Sequence, residues 1–322
     1  MILVTGGTGF IGSHLVERLV AQGRALRCLV RRSSTAANLP RDIDLALGDL
    51  ESGAGLAEAL RGVDTVIHLA GVTKARIAAE YDRGNATATA NLLRAAGNVG
   101  RLIHVSSLAA AGPSPADHPL TEADEPRPVS HYGRSKLAGE EAVRQSPLRA
   151  RTAIMRPPVV YGPRDRDVYQ ILRTVARGWM AQIGTAPRRF SYIYVGDLVD
   201  GLIAAADCPS AGGQVFYLAN SAPVSWDEFG KVAARLMGRQ VRTVAIPEKA
   251  AYSLGLCAEG WTRLSGKPGI LSRDKVLEAC CAGWVCDPGR AGRELGFRAS
   301  TSLEEGLRRT LAWYKEAGWL KF

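Results

Sequence analysis

Apolar residues follow two rhythms along the first half of the chain. Short apolar runs at Ile2 to Val4, Leu26 to Val30, Ile43 to Leu47, Thr65 to Leu69, Leu102 to Val105 and Thr152 to Met155 predict strands. Between them, apolar positions recur at helical spacing over Ile11 to Ala21, around Leu56 to Leu60, near Ala86 to Ala96, and from about Tyr132 onward. Strand–helix alternation of this kind implies an α/β fold with a parallel sheet covered on both faces. Pro-rich loops interrupt the rhythm at residues 112 to 128, and beyond Pro157 the elements shorten and Gly and Pro become frequent. The chain therefore divides into a sheet domain over residues 1–160, to which some later segments return, and a smaller lobe built mainly from residues 161–322.

Length and composition agree with this division. A chain of 322 residues with 46% hydrophobic residues can build a sizeable core. The apolar start is too short for a signal peptide, and no uninterrupted apolar stretch is long enough to span a bilayer, so the expectation is a soluble, cytoplasmic protein. Cys28, Cys208, Cys257, Cys280, Cys281 and Cys286 are unevenly spaced, which argues against a disulfide framework. The cluster ACCAGWVC (residues 279–286) lacks the paired spacing of a zinc site, so no metal is expected. The net charge of +10 comes from scattered basic residues without a nucleic-acid-binding signature. An anionic small molecule suits that charge, and so does a generally basic proteome.

The stretch VTGGTGFIG (residues 4–12) lies where the first strand ends and the first helix begins. Gly6 suits a tight turn, Gly9 lets backbone approach a diphosphate, and Gly12 lets helix and strand pack closely. The helix N-terminus adds unpaired N–H groups and a partial positive charge. This context predicts a Rossmann-type, doubly wound sheet that binds a dinucleotide. After the second strand the chain reads CLVRRSS (residues 28–34), with no acid to hold a ribose 2′-hydroxyl. Arg31 and Arg32, with Ser33, suit a 2′-phosphate instead, so NADP is favoured with NAD left open. The alternative is a pair of solvated loop arginines.

Two further stretches carry candidate chemistry: IHVSSLAAAG (residues 103–112) and HYGRSKLAGEE (residues 131–141). Tyr132 and Lys136 are four residues apart, which places both on one helix face. A lysine ammonium near a phenol favours the phenolate and lowers its pKa from the usual value of about 10. A serine at the end of the neighbouring strand can orient a substrate oxygen. Together these groups would serve a carbonyl–alcohol pair beside a nicotinamide. An exposed tyrosine on a surface helix is the plain alternative.

At these residues the chain resembles the extended short-chain dehydrogenases/reductases, the NAD-dependent epimerase/dehydratase family, along nearly its whole length. TGGTGFIG resembles the TGxxGxxG motif, YGRSK (residues 132–136) the YxxxK motif, and GDL (residues 48–50) the segment whose Asp meets the adenine. HLAG (residues 68–71) resembles the HxAA stretch, with Gly71 as a departure. NATATANLL (residues 85–93), RPPVVYGP (residues 156–163), YVGDLVDGL (residues 194–202, with Gly196 replacing an Asp) and the C-terminal SLEEGLRRTLAWYKEAGWL also match in order. The resemblance implies Tyr132 as catalytic acid/base and Lys136 as the residue that lowers its pKa and holds the nicotinamide ribose. It favours Ser107 over Ser106 as the orienting hydroxyl, because the family's Ser or Thr lies five residues before a glycine, here Gly112. It implies cofactor contacts from Gly6, Gly9, Phe10, Ile11, Gly12, Asp49, Leu50, Leu69, Ala70, Gly71, Pro157 and Val159, a mainly structural role for Asn85, and a homodimer.

The motifs fix hydride and proton transfer more firmly than they fix the substrate. A 4,6-dehydratase is disfavoured, because Leu108 and Ala109 follow Ser107 where that subgroup carries an Asp–Glu pair. A nucleotide-sugar epimerase stays open, although such enzymes mostly hold NAD with an acid after the second strand. VRRSS resembles the dihydroflavonol-reductase-like and hydroxysteroid-dehydrogenase-like branches, so a reductase or dehydrogenase of a small molecule is favoured. A non-catalytic NADP-binding sensor or assembly subunit is the third reading. The substrate is expected between the lobes, near Val72, Thr73 and Lys74, the 109–118 loop and Tyr161 to Arg166, with Arg188, Arg189 and Tyr192 within reach.

Overall fold

The computed structural model describes residues 1–115, 118–186, 188–265 and 272–322. Its centre is a seven-stranded sheet. The strands are β1 (Ile2–Thr5), β2 (Leu26–Val30), β3 (Asp44–Leu47), β4 (Thr65–His68), β5 (Arg101–Val105), β6 (Thr152–Arg156) and β7 (Val215–Tyr217). All pairings are parallel, in the order β3-β2-β1-β4-β5-β6-β7. The chain winds outward from β1 to β3, then crosses back to start again at β4. That reversal opens a crevice beyond the carboxyl ends of β1 and β4, the place where such sheets bind ligands.

Alternation along each strand feeds two helical layers. Val4, Ile67, Ile103 and Met155 face α1 (Phe10–Ala21) and, further along the chain, α4 (Val195–Asp207), where Leu15, Leu19, Leu198 and Leu202 are buried. Leu3, Val66, Leu102 and Ile154 face the other layer, formed by α2 (Ala88–Ala95) and α3 (His131–Gln145), with Leu92, Leu93 and Val143. Each such fully buried aliphatic side chain contributes about 1.5–3 kcal/mol. Both α4 and β7 come from the second half of the sequence and complete the sheet domain.

The remaining short elements surround a second apolar cluster. Val159–Tyr161 pairs with Tyr192–Tyr194, Arg189–Phe190 lies between Val224–Ser225 and Gly283–Trp284, and Trp179–Ile183 pairs with Arg242–Ile246. Two helices matter for the site. They are α5 (Glu248–Ser265) and α6 (Arg273–Cys280), which pack on each other at Gly255, where a Cβ would sit 3.3 Å from the Arg273 amide.

Two sequence expectations are corrected here. The helix expected over Ala86 to Ala96 spans Ala88–Ala95 and is preceded by a π turn at Asp82–Thr87. The wider turn swings Asn85 inward, and its freed carbonyl accepts the Thr89 hydroxyl at 2.6 Å. Tyr161 and Tyr192, expected near the substrate, belong to the second core instead. They are 0% and 3% exposed, with ring centroids 5.9 Å apart.

Candidate active site

The glycine turn is shaped by close approach. Gly6 has φ +74°, and a Cβ there would lie 2.6 Å from the Ala70 amide nitrogen of the neighbouring strand end. At Gly12 a Cβ would come within 2.1 Å of the Gly6 carbonyl oxygen, so this glycine lets α1 pack on the turn itself rather than on the strand. Gly9 closes the loop through its N–H to the Gly6 carbonyl (3.0 Å), and a Cβ there would meet only that oxygen, at 3.2 Å. Helix α1 starts at Phe10 and Ile11 with no side-chain cap and no acid in its first turn. Its leading N–H groups suit an anion, which is what a dinucleotide's diphosphate requires.

Past β2, Arg31 and Arg32 are exposed on a turn fixed by the Ser34 amide donating to the Arg31 carbonyl (2.9 Å). Among the described residues neither guanidinium makes a hydrogen bond or ion pair. Asp49 lies beyond β3 and caps its own turn, accepting the Glu51 and Ser52 amides at 2.7 and 3.2 Å. Leu50 packs against the core, and Leu69 and Ala70 donate backbone N–H groups to the Thr5 carbonyl (3.1 Å) and hydroxyl (3.3 Å). Pro157 is buried, with its carbonyl accepting the Leu108 amide (2.9 Å), while Val159 is exposed.

The two serines that end β5 go separate ways. Ser106 is buried and donates to Glu140 (2.6 Å), whose carboxylate also holds Arg156 at 2.7 and 2.9 Å and Arg144 at 2.8 Å. Ser107 caps the short helix Leu108–Ala111, accepting the Ala109 amide at 3.1 Å, and its hydroxyl lies beside the Tyr132 phenol, where it favours the phenolate. Tyr132 stands at the start of α3, whose N-cap Ser130 accepts the Gly133 amide (3.0 Å). Burial pushes the Tyr132 phenol up, and the neighbouring Ser107 hydroxyl opposes that rise. One turn on, Lys136 is 6% exposed and donates to the Val105 carbonyl at 2.7 Å. Burial lowers its ammonium to about 8, against the opposing charge of Glu140.

Gly71 opens the floor beside Lys136. A Cβ at this position would lie 3.6 Å from Lys136 Nζ and only 2.7 Å from Asn85 Oδ1. The space is used by Asn85, which accepts the Val72 amide (2.8 Å) and donates to the Val72 carbonyl (3.0 Å) and Ser135 hydroxyl (2.8 Å). Behind Lys136, His68 is held down to about 3 by burial and by the lysine charge, and its ring joins Thr5 (2.7 Å) and Thr89 (3.1 Å). His104, likewise buried, has no hydrogen-bond partner for either ring nitrogen.

Other expected pocket residues are committed elsewhere. Lys74 pairs with Asp167 and Arg188 with Glu248, while Arg189 donates to the Pro223 carbonyl (2.6 Å). Arg164 reaches Ser13 and Glu17 at 3.0 and 2.6 Å. Residues 116 and 117 of the 109–118 loop lie outside the described residues. One group near Tyr132 escaped the sequence reading: Lys275 of α6 stands 5.6 Å from the Tyr132 ring centroid. A single lysine on a late helix carries no motif, so nothing in the sequence ties it to Tyr132.

A dinucleotide crevice joined to a phenol, a hydroxyl and a buried ammonium defines an enzyme class, the extended short-chain dehydrogenases/reductases, which work by nicotinamide hydride transfer. Residues 2–219 match the NAD dependent epimerase/dehydratase family, and the chain belongs to it. A ceramide reductase of Caulobacter vibrioides (strain NA1000 / CB15N) is 32% identical over 325 residues, covering 99% of this chain and 96% of the relative. The N-acetyl-alpha-D-glucosaminyl-diphospho-ditrans,octacis-undecaprenol 4-epimerase of Escherichia coli O157:H7 is 26% identical, covering 96% of this chain and 94% of the relative. Among solved structures, MoeE5 in complex with UDP-glucuronic acid and NAD superposes with a TM-score of 0.76 at 28% identity, covering 98% of this chain and 99% of that one. The chain is thus an NAD(P)-dependent enzyme of carbonyl–alcohol chemistry. No helix among the described residues is long and apolar enough to cross a membrane.

Proposed function

We propose that this protein is an NADP-dependent reductase or dehydrogenase acting on a ketone–alcohol pair of a lipid. The observation that carries the reading is the placement of Ser107, at the end of β5, beside the Tyr132 phenol, with Lys136 one helical turn further along α3. When bound, NADPH supplies a hydride to the carbonyl carbon. Ser107 donates a hydrogen bond to the substrate oxygen and orients it. Tyr132 gives its phenolic proton to that oxygen as the C–O π bond breaks, and the alcohol leaves. The resulting phenolate is stabilised by surrounding cations, and Lys136 also holds the nicotinamide ribose. Leu108 and Ala109 present no group able to move a proton, so elimination gains no catalyst here.

Arg31 and Arg32 support NADP, because two exposed guanidiniums without protein partners match a 2′-phosphate. The lipid assignment rests on the relatives named for a ceramide and for an undecaprenol-linked sugar, the first aligned over almost the whole chain. The second relative also favours a competing reading, transient oxidation in an epimerase. The absorbance spectrum of the dialysed protein separates the two: retained nicotinamide supports the epimerase, and an apo protein that takes up NADPH supports the reductase.

Tyr132→Phe is expected to bind NADPH like the wild type and to lose turnover of a lipid ketone, found by screening with the wild type, by about 100-fold or more. Full activity in this variant would remove Tyr132 from the reaction. Arg31→Ala combined with Arg32→Ala is expected to weaken NADPH binding about 10-fold or more, measured by fluorescence titration, with NADH little changed. An unaltered preference would mean that NAD is the natural cofactor or that the phosphate is held elsewhere.

A further inference from the structure

The catalytic helix does not meet the C-terminal lobe by chance packing alone. Asp274, in the first turn of α6, accepts the backbone N–H of His131, the first residue of α3, at 2.7 Å. That contact places a carboxylate on the positive end of the helix that carries Tyr132. One residue further, Lys275 projects its ammonium over the Tyr132 ring, 5.6 Å from the centroid. Its position is set by Glu278, three residues on along α6, at 2.8 Å. Glu278 is anchored in turn, since its backbone carbonyl accepts the Trp284 indole N–H at 2.7 Å.

The charged and titratable groups that face Tyr132 are few. The Ser107 hydroxyl lies beside it, the Tyr81 ring lies 6.1 Å away, and Lys275 and Glu278 face it from α6. Lys136 follows one turn along α3, with its ammonium donating to the Val105 carbonyl. Burial and the Glu278 charge work against a phenolate, while the Ser107 hydroxyl and Lys275 work for it. Burial also opposes the charge on Lys275, but Glu278 and the two tyrosines outweigh it and keep the ammonium protonated.

We propose that Lys275 is a positioning residue for proton transfer: held by Glu278 over the Tyr132 ring, it stabilises the phenolate, so Tyr132 is tuned only while α6 rests on α3. The proposal deepens the reading of Tyr132 as acid/base and rests on it. In this arrangement the smaller lobe does more than cover the substrate. It brings a cation to the phenol, and seating of α6 becomes a condition for efficient proton transfer. Cation and ring attract whether or not the phenol is ionised, but the attraction is larger for the phenolate.

The test is an ultraviolet difference titration of the full chain, each protein minus its Tyr132→Phe counterpart, so that only this phenol is read. Lys275→Met is expected to raise the Tyr132 midpoint by roughly half to one pH unit. Lys275→Arg, which keeps the charge, is expected to stay within a few tenths of a unit of the wild type. Added salt screens a half-exposed ammonium, so the wild-type midpoint should climb with ionic strength, while that of Lys275→Met, left with the Glu278 carboxylate alone, should not climb. The salt series on the wild type needs no variant to fold. An unchanged midpoint in Lys275→Met, or a wild-type midpoint indifferent to salt, overturns the proposal. The titration needs no substrate, so it can fail while Tyr132→Phe still shows the phenol to be essential, or succeed while that variant stays active.

Discussion

At the scale of single residues, Lys136 shows the tension between site and stability. Its side chain is buried with one hydrogen bond, to the Val105 carbonyl. The folded chain lowers its pKa from 10.5 to about 8, chiefly through burial. Between those values the unfolded chain holds a proton that the folded chain has released. Stability therefore rises with pH across that window, and the full penalty applies below about 8. Lys136→Met removes the penalty. The variant is expected to melt higher than the wild type near neutral pH, with the gap closing as pH rises to about 10. Paired calorimetric scans of the two proteins check this. A gap that is constant with pH would show that burial costs the ammonium little. The same variant should lose turnover, so the residue is kept for chemistry at a cost in stability.

At the scale of elements, the regular half of the sheet was legible and the π turn was not. β1, β2, β4, β5 and β6 are mostly apolar runs whose ends fall within a residue of the runs that signalled them. Such strands are buried on both faces, so composition alone marks them. The three-residue β7 (VFY) is apolar too, but it lies among the short elements of the second half, and only its pairing with β6 shows that it returns to the sheet. The glycine turn, Ser107, Tyr132 and Lys136 were legible because their spacing is local. Lys275 was not, because its relation to Tyr132 spans the two halves of the chain. Gly71 was visible only as a departure from a pattern, and its reason is Asn85. Gly71→Ala would force a Cβ to 2.7 Å from Asn85 Oδ1 and break the clamp on Val72. We expect a loss of about 1–3 kcal/mol in urea denaturation. Asn85→Ala should leave less for the second substitution to remove, so the double variant should fall short of the sum of the two losses. Strict additivity would mean that Gly71 and Asn85 are not coupled.

At the scale of the whole molecule, one buried network ties the late strand to the helix that carries Tyr132. Arg156, 1% exposed at the end of β6, makes a two-pronged contact with Glu140 of α3. Its remaining reach is to β7, where Nη1 donates to the Tyr217 hydroxyl at 3.2 Å and the guanidinium lies 5.7 Å from the ring centroid. The Tyr217 amide in turn donates to Glu122 at 3.0 Å, in the loop leading to α3. Ser106, the neighbour of Ser107, completes the set on Glu140. The network thus fixes β5, β6, β7 and α3 against one another directly beneath the Ser107–Tyr132 pair. A buried ion pair adds little compared with a well-packed apolar pair, but removing one partner strands the other charge. Arg156→Met is therefore expected to cost about 3–5 kcal/mol in urea denaturation. Adding Glu140→Met should recover much of that loss, because no unpaired carboxylate then remains and Arg144 can turn to solvent. If Arg156→Met loses less than about 1 kcal/mol, the carboxylate is satisfied without it, and the register of β7 against α3 must be set by apolar packing alone.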